Sequence, residues 1–379
     1  MRAVRDDDAA ITGLGLVTPL GFGVETVAAA LAEGRRAGTT VGNDGDPEGT
    51  RAAALVEEPW LREPIPEEHA AQAKFLTASG QMAVTAVREA LKQAALPARP
   101  TPDHRRGLYL AQMDWMAIEY ADFRPVFVEA TDGYTKRWTA EGLNTATLRK
   151  LNPFYLLDTL NNNAYSFVTA LLDWMGPGTS LSGPAGPGLL AVSMAARAIR
   201  RGDADAMLAV GAGRWSLPIA RLELARRNAA LAEVQHTVPG EGAAAVVLEP
   251  LCLARARGAD VYAVVLGSGS AFSPPGDPRA VYDAVAAAHA DAGLAEGEEL
   301  GVRTSTGTAL KEIARALAGP PHAHRHDASR ERLGDMGPAS DVADVVLSAR
   351  SLRLGGPADL VIHRGMDGQV TALVLAPAT

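Results

Sequence analysis

The sequence predicts an α/β protein in which the sheet is buried on both faces. Apolar strand-like segments alternate with amphipathic helical segments along most of the 379 residues. Gly-rich turns lead from several of these strands into the helices that follow, as in layered α/β proteins. The length exceeds what one compact core usually holds, so we expect two domains or one duplicated unit.

The first strand and helix set the pattern for the chain. Residues 9–20 are predicted to form a buried strand that runs into a Gly-rich turn and a proline. Residues 21–34 are predicted to be helical, because apolar residues recur at helical spacing from Val24 to Leu31. Residues 40–66 are rich in Gly, Pro, Asp and Glu, and we expect a surface loop there.

The rest of the first half is predicted from apolar content and from helix breakers. An Ala-rich amphipathic helix should cover residues 67–96, since a proline-rich stretch begins at Pro97. The remaining predicted strands are 108–113, 179–182, 204–211 and 242–249, and the remaining predicted helices are 153–175 and 188–201.

The second half repeats this alternation, although no sequence repeat between the halves is visible. The predicted strands are 261–267, a short strand before the Gly-rich turn near Thr306, 359–363 and 370–375, and the predicted helices are 279–291 and 341–352. Residues 318–340 are predicted to be irregular.

Charge and cysteine content exclude several classes of function. The net charge of −8 at pH 7 argues against binding to nucleic acid or to an anionic membrane surface. Cys252 is the only cysteine, so no intramolecular disulfide can form and a reducing compartment is expected. The N-terminus turns acidic before any apolar stretch, and no run of 18 apolar residues occurs. We therefore expect a soluble, cytoplasmic protein.

Five segments, in order along the chain, resemble the β-ketoacyl-acyl carrier protein synthase family. They begin at Ile11 (ITGLGLVTPLGFG), Gly188 (GLLAVSMAARAIRRGDADAMLAVGAG), Pro239 (PGEGAAAVVLEP), Ser305 (STGTALKE) and Gly365 (GMDGQVTALVL). The resemblance implies a thiolase-like five-layered αβαβα fold with two related halves, residues 1–249 and 250–379. It implies no cofactor.

The residues that a condensing enzyme needs are changed in this sequence. A decarboxylating condensation requires a thiolate that accepts the acyl chain, and donors for the enolate and oxyanion. The family places the cysteine at the N-terminus of a buried helix, where the helix dipole favours the thiolate, and two histidines face it. The resemblance puts Ala185 at the cysteine position, Thr304 and Asp335 at the histidine positions, and Arg330 at a nearby lysine position. It therefore implies no catalytic residue.

Other reactive side chains are weaker candidates. Cys252 lies where a strand leads into a helix, which is typical of a structural residue. Ser182 could act as a nucleophile, but neither matched loop offers a histidine to activate it. Three alternating histidines, His322, His324 and His326, could form a weak metal site, but a proline-bounded solvated loop is favoured, and no metal is predicted. Met366 and Asp367 replace the usual Phe and Gly of the family's terminal loop.

An aromatic region supplies the candidates for an acyl tunnel or a subunit interface. Trp115, Met116, Glu119 and Tyr120 would share a face if this segment is helical, and in ketosynthase pairs the region lies near the interface and tunnel. Ordinary packing is the alternative for each of them. Asn162, in a run of three asparagines, is a further candidate, although we expect these asparagines to cap the following helix.

The resemblance predicts a chain-length-factor-like subunit that pairs with an active ketosynthase and meets acyl carrier protein through that complex. Such subunits usually carry glutamine at the cysteine position, so Ala185 departs from the pattern. The alternative is a repurposed homodimeric enzyme for cyclisation, dehydration or acyl transfer, with Asp335 and Thr304 as its polar groups. A structural or carrier-docking homodimer is a third possibility.

Overall fold

The fold is given by a computed structural model. It describes residues 1–41, 51–113, 120–155, 160–183, 186–217, 220, 238–274, 277–295, 298, 300–304, 329–365 and 367–378. No helix among these residues is both long enough and apolar enough to cross a membrane.

Twelve strands, eleven α-helices and one 3₁₀ helix (Glu67–His69) can be defined within the described residues. The strands are β1 (Ala9–Thr18), β2 (Gly21–Phe22), β3 (Thr39–Val41), β4 (Arg51–Ala53), β5 (Arg106–Gln112), β6 (Gly178–Ser182), β7 (Ala206–Arg214), β8 (Glu241–Pro250), β9 (Ala263–Phe272), β10 (Gly301–Thr304), β11 (Asp359–Arg364) and β12 (Gln369–Ala376). The helices are α1 (Val24–Ala32), α2 (Ala70–Ala73), α3 (Ala78–Ala94), α4 (Tyr120–Ala130), α5 (Ala140–Lys150), α6 (Asn163–Leu172), α7 (Pro187–Arg200), α8 (Leu251–Ala256), α9 (Arg279–Ala292), α10 (Ser329–Leu333) and α11 (Pro338–Arg353).

One continuous mixed sheet connects both halves of the chain. Its strand order is β10-β11-β12-β9-β1-β8-β7-β5-β6, with β2 paired to β1, while β3 and β4 form a separate two-stranded sheet. The halves meet where β1 pairs antiparallel with β9. On either side of this junction lie antiparallel strands, and parallel pairs follow toward both edges, β5 with β6 and β7, and β10 with β11.

Successive side chains along a strand point alternately into a central apolar layer and into an outer one. This holds on both sides of the β1–β9 junction. In β8, Val246 and Leu248 pack into a central cluster with α7 and α11, whereas Ala245 and Val247 pack against the outer helices α3 and α6. In β12, Leu373 faces the same central cluster and Val374 faces α9. Helices α7 and α11 thus cover the central side of the sheet, and α3, α6 and α9 cover its outer side. This confirms the predicted α/β fold class.

The central helices α7 and α11 meet closely at their N-terminal ends. Each begins with a proline, whose fixed φ and missing N–H suit the first helical position. A Cβ atom on Gly188 would lie 2.2 Å from the carbonyl oxygen of Pro338. Glycine is therefore required at Gly188 for the two helices to approach this closely.

Several predicted boundaries are wrong. The predicted helix 153–175 does not run through residues 160–162, and α6 begins only at Asn163. The predicted helix 67–96 is interrupted at Lys74–Thr77, because Leu76 is buried in the core and the Thr77 hydroxyl accepts a hydrogen bond from the N–H of Gly80, which begins α3 there. The predicted loop 40–66 contains β4 and the end of β3. The predicted irregular segment 318–340 contains α10 and the first turn of α11.

Candidate functional site

A cluster of buried charged side chains lies where α7, α10, α11 and β11 meet. Its members, called here the Asp341 cluster, are Arg330 (7% exposed), Asp335 (2%), Asp341 (0%), Asp344 (2%) and His363 (0%). Charged groups at this depth require partners, because the loss of hydration is otherwise very costly. Each of the five has at least one partner of opposite charge within the cluster.

Asp341 connects the cluster to the N-terminus of α7. Its Oδ2 accepts hydrogen bonds from the backbone N–H groups of Gly186, at 2.7 Å, and Gly188, at 3.1 Å. Its Oδ1 accepts a hydrogen bond from Nη2 of Arg330 at 2.8 Å. The N-terminus of a helix carries unpaired N–H donors and partial positive charge, so it favours an anion. In this chain a side chain of α11 supplies that anion.

His363 lies between two carboxylates. Its Nδ1 is 2.8 Å from Oδ1 of Asp341 and equally 2.8 Å from Nη2 of Arg330. Its Nε2 is 2.8 Å from Oδ2 of Asp344. Complete burial and the charge of Arg330 oppose the charged imidazolium. The charge of Asp341 and the hydrogen bonds of Asp341 and Asp344 outweigh both, and they raise the pKa of His363 above its ordinary value. The imidazolium can donate from Nε2 to Asp344 and from Nδ1 to Oδ1 of Asp341, an oxygen that it then shares with Nη2 of Arg330. In the neutral ring with its proton on Nε2, Nδ1 instead accepts from Arg330.

Arg330 joins Asp335 to the same network. Its Nη1 lies 3.5 Å from Oδ1 of Asp335, and that oxygen also accepts a hydrogen bond from the N–H of Gly337 at 2.9 Å. Burial disfavours the charged guanidinium, but the neighbouring carboxylates raise the pKa of Arg330, so it stays charged. With His363 protonated, the cluster contains three carboxylates and two cations, and the N-terminus of α7 offsets the surplus anion.

The cluster is closely packed. A gap beside it is too narrow to admit a water molecule; its lining residues are Arg330, Leu333, Gly334, Met336, Ser340 and Ala343. The carboxylates are engaged by fixed donors, so they hold neighbouring elements together. Within the part of the chain that the structure describes, no group of His, Cys, Asp and Glu is arranged to hold a metal ion.

Comparison with known families identifies the chain. Residues 6–254 match the model of the β-ketoacyl synthase N-terminal domain. The chain belongs to the β-ketoacyl synthase family. This confirms the resemblance seen in the sequence.

Curated relatives of this β-ketoacyl synthase family member include 3-oxoacyl-acyl-carrier-protein synthase 2 from several bacteria. The Vibrio cholerae protein is 34% identical over 197 residues, which cover 45% of this chain and 47% of that protein. The Coxiella burnetii protein is 28% identical over 68% of this chain and 62% of its own length. The chain thus spans about half to two thirds of these relatives.

Solved structures share the fold over nearly the whole chain. A β-ketoacyl synthase from Burkholderia phymatum superposes with a TM-score of 0.78 at 18% identity, covering 98% of this chain and 100% of that chain. The ishigamide ketosynthase/chain length factor gives a TM-score of 0.73 at 19% identity, covering 98% and 99%. These ketosynthase neighbours agree with the thiolase-like fold implied by the sequence.

The positions matched to the family's catalytic residues do not all lie in one place in this structure. Asp335 and Arg330 lie together in the Asp341 cluster. Thr304 is buried at the end of β10. Strand alternation assigns it to the same face as Val302, which packs in the layer of α9. Arg303, on the opposite face, donates a hydrogen bond to Asp359 beside α11. Ala185 lies outside the described residues.

The tunnel and interface candidates are only partly described. Trp115, Met116 and Glu119 lie outside the described residues, as do His322, His324, His326 and Met366, and Tyr120 is described as the backbone start of α4. Asn162 occupies the N-cap position of α6, but its side chain is exposed and makes no capping hydrogen bond, so the predicted capping role is wrong. Its neighbour Asn163 instead donates from Nδ2 to the carbonyl oxygen of Phe75.

Sequence reasoning missed Asp341, Asp344 and His363. Both aspartates fall in an apolar helical stretch, DVADVV, and the histidine falls in an apolar strand, LVIHR. Ionisable residues of opposite sign inside segments that are otherwise fully buried indicate pairing. This signal was present in the sequence and could have been used to predict the cluster.

Proposed function

We propose that this chain is a ketosynthase-like subunit without condensing activity, of the chain-length-factor type, which pairs with an active ketosynthase and shapes its acyl tunnel. The observation that carries the proposal is the Asp341 carboxylate at the N-terminus of α7. In the family that helix end favours the nucleophilic thiolate. Here the residue before Gly186 is Ala185, and the N–H donors already bind an internal carboxylate.

The remaining thiol supports the same interpretation. Cys252 is exposed at the start of α8, and its backbone N–H donates to the carbonyl oxygen of Asp6. A reactive thiolate requires a cationic neighbour or a favourable helix end, and α8 has only six residues.

The alternative of a repurposed enzyme that uses Asp335 and Thr304 finds less support. A general base needs a carboxylate that can reach a substrate proton. Asp335 is 2% exposed and its Oδ1 is held by Gly337 and Arg330. Thr304 belongs by alternation to the opposite face of its strand from Arg303.

An open sheet edge supports pairing with a second chain. β6 pairs with β5 and with no other strand among the described residues, so its outer row of N–H and C=O groups is available to a partner strand. Large apolar side chains are exposed nearby in sequence, Phe154 at 52%, Leu160 at 46% and Met175 at 60%. We propose that an active ketosynthase covers this edge, as the name of the ishigamide ketosynthase/chain length factor suggests for that protein.

The first test is covalent acylation. The purified chain is incubated with acyl-loaded acyl carrier protein and analysed by intact-protein mass spectrometry, beside an active β-ketoacyl synthase as the positive control. We expect no acyl adduct on this chain and a stoichiometric adduct on the control. An acyl adduct on this chain would contradict the proposal.

The second test is assembly. The chain is co-expressed with an intact ketosynthase from the same genome, purified through a tag on one partner, and measured by native mass spectrometry. A one-to-one complex that extends acyl chains, when neither protein does so alone, is the expected outcome. A homodimer that binds none of the ketosynthases offered would exclude the chain-length-factor role.

A further inference from the structure

The N-terminus of α7 has an anionic ligand that belongs to the chain itself. Asp341 reaches this helix end from α11, 155 residues further along the sequence than Gly186. Besides the two backbone N–H groups, its carboxylate meets Nη2 of Arg330 and Nδ1 of His363, each at 2.8 Å from Oδ1. Donors from three separate segments therefore converge on one fully buried carboxylate.

We propose that the N-terminus of α7, Arg330 and His363 form a carboxylate-binding site that the chain fills with its own Asp341. The inference extends the proposed function and rests on it in one respect: the built-in anion stands where the family favours a thiolate, and it keeps the site closed. Removing the Asp341 carboxylate opens the site to a small monovalent carboxylate such as formate.

The charge of the donors and the small space between α7 and α11 both restrict which ligand can bind at the site. The buried Arg330 guanidinium and the N-terminus of α7 favour an anion over a neutral group, since water cannot solvate them there, and the ring of His363 can donate to that anion. The position of a Cβ on Gly188 is 2.8 Å from Cβ of Asp341, so α7 and the aspartate are already in close contact. An external ligand must therefore fit the space of one carboxylate group, which formate does.

The test is chemical rescue of Asp341→Ala. The unfolding temperature is measured as sodium formate is titrated, with sodium chloride at equal ionic strength as the reference. We expect formate, but not chloride, to raise the unfolding temperature by about 2 °C with saturation, because a ligand bound only by the folded state stabilises it. Wild type should not respond, since its own carboxylate fills the site.

The matched control is Asp344→Ala. It also removes a buried carboxylate of α11 beside His363, but it leaves Asp341 on the N–H groups of Gly186 and Gly188. Formate should therefore not stabilise it beyond chloride. Equal effects of formate on the two variants, or no difference between formate and chloride on Asp341→Ala, would overturn the proposal.

A second variant decides the case in which Asp341→Ala does not fold. Asp341→Asn keeps the size and one acceptor oxygen but removes the charge. We expect a lower unfolding temperature than wild type and no rescue by formate, because the amide still fills the site. Wild-type stability in Asp341→Asn would overturn the proposal. Neither measurement involves acyl transfer, so the acylation assay tests the proposed function separately.

Discussion

The helix α11 contacts two buried ionic groups, and they differ in how their charges are balanced. Near its N-terminus lies the Asp341 cluster, with three carboxylates, two cations and the end of α7. Nearer its C-terminus, Asp359 of β11 binds Arg303 of β10 at 3.2 Å and accepts a hydrogen bond from Ser348 of α11. We call Asp359 and Arg303 the Asp359 pair. In this pair one carboxylate faces one cation, whereas the cluster has a surplus carboxylate that binds the N-terminus of α7.

The largest expected effect comes from removing the guanidinium of each group. Arg330→Met leaves three buried carboxylates with His363 as their only side-chain cation in the cluster, and we expect a loss of about 4 kcal/mol of unfolding free energy. Arg303→Met leaves one carboxylate with the Ser348 hydroxyl, so we expect about 3 kcal/mol. Denaturant titrations of both variants measure the difference, and a larger loss for Arg303→Met would contradict the comparison.

The second prediction concerns the close approach that brings Asp341 to α7. In Gly188→Ala the new Cβ would lie 2.2 Å from the carbonyl oxygen of Pro338, so α7 and α11 must separate. We expect a loss of about 2 kcal/mol from this overpacking. Gly38→Ala is the control, since none of the described atoms lies within 4 Å of its Cβ position. Equal stabilities of the two variants in urea would show that the helices do not need this contact.

The sequence predicted most of the layers, because strands such as β8 and β12 are apolar throughout and helices such as α9 show clear periodicity. It did not predict the break between α2 and α3. Local pattern alone favours one helix over residues 67–96, and the break depends on burial of Leu76 against residues distant in sequence. Tertiary packing overrides local propensity at such points.

The site was predicted only in part, for a similar reason. Resemblance to the family indicated Arg330 and Asp335, which the structure brings together. Nothing local connects Asp341 with Gly186, because the contact spans 155 residues and depends on how α7 and α11 pack. The two halves of the sheet must be assembled before that carboxylate has its backbone partners.

The third prediction uses two histidines whose pKa values shift in opposite directions. Asp341 and Asp344 raise the pKa of His363 against the effect of burial, so its stabilising contribution is complete below the ordinary value of 6.5 and is lost as pH rises through the folded-state pKa. Burial lowers the pKa of His289, although Glu298 opposes this, so stability falls there as pH drops below 6.5.

Unfolding midpoints measured across pH for three proteins test these assignments. Wild type should lose stability above pH 6.5 with a slope of at most about 1.4 kcal/mol per pH unit from His363, moderated by the other charges of the cluster, Arg330 and Asp335. His363→Gln should lack this decline, and His289→Gln should alter the profile only below 6.5. Identical profiles for wild type and His363→Gln above pH 6.5 would show that His363 does not gain its proton from folding.

The smallest expected effect comes from removing the hydrogen bond that Ser348 of α11 donates to the Asp359 pair. Ser348→Ala removes one hydrogen bond to Asp359 but leaves the ion pair with Arg303, so we expect a loss of about 1 kcal/mol of unfolding free energy. In the double variant with Arg303→Met, Asp359 loses both partners, and the cost should exceed the sum of the single losses by about 1 kcal/mol. Strict additivity in the double-mutant cycle would mean that the two groups act independently on Asp359. The Asp359 pair would then be held by separate contacts, and the contrast with the coupled Asp341 cluster would be sharper.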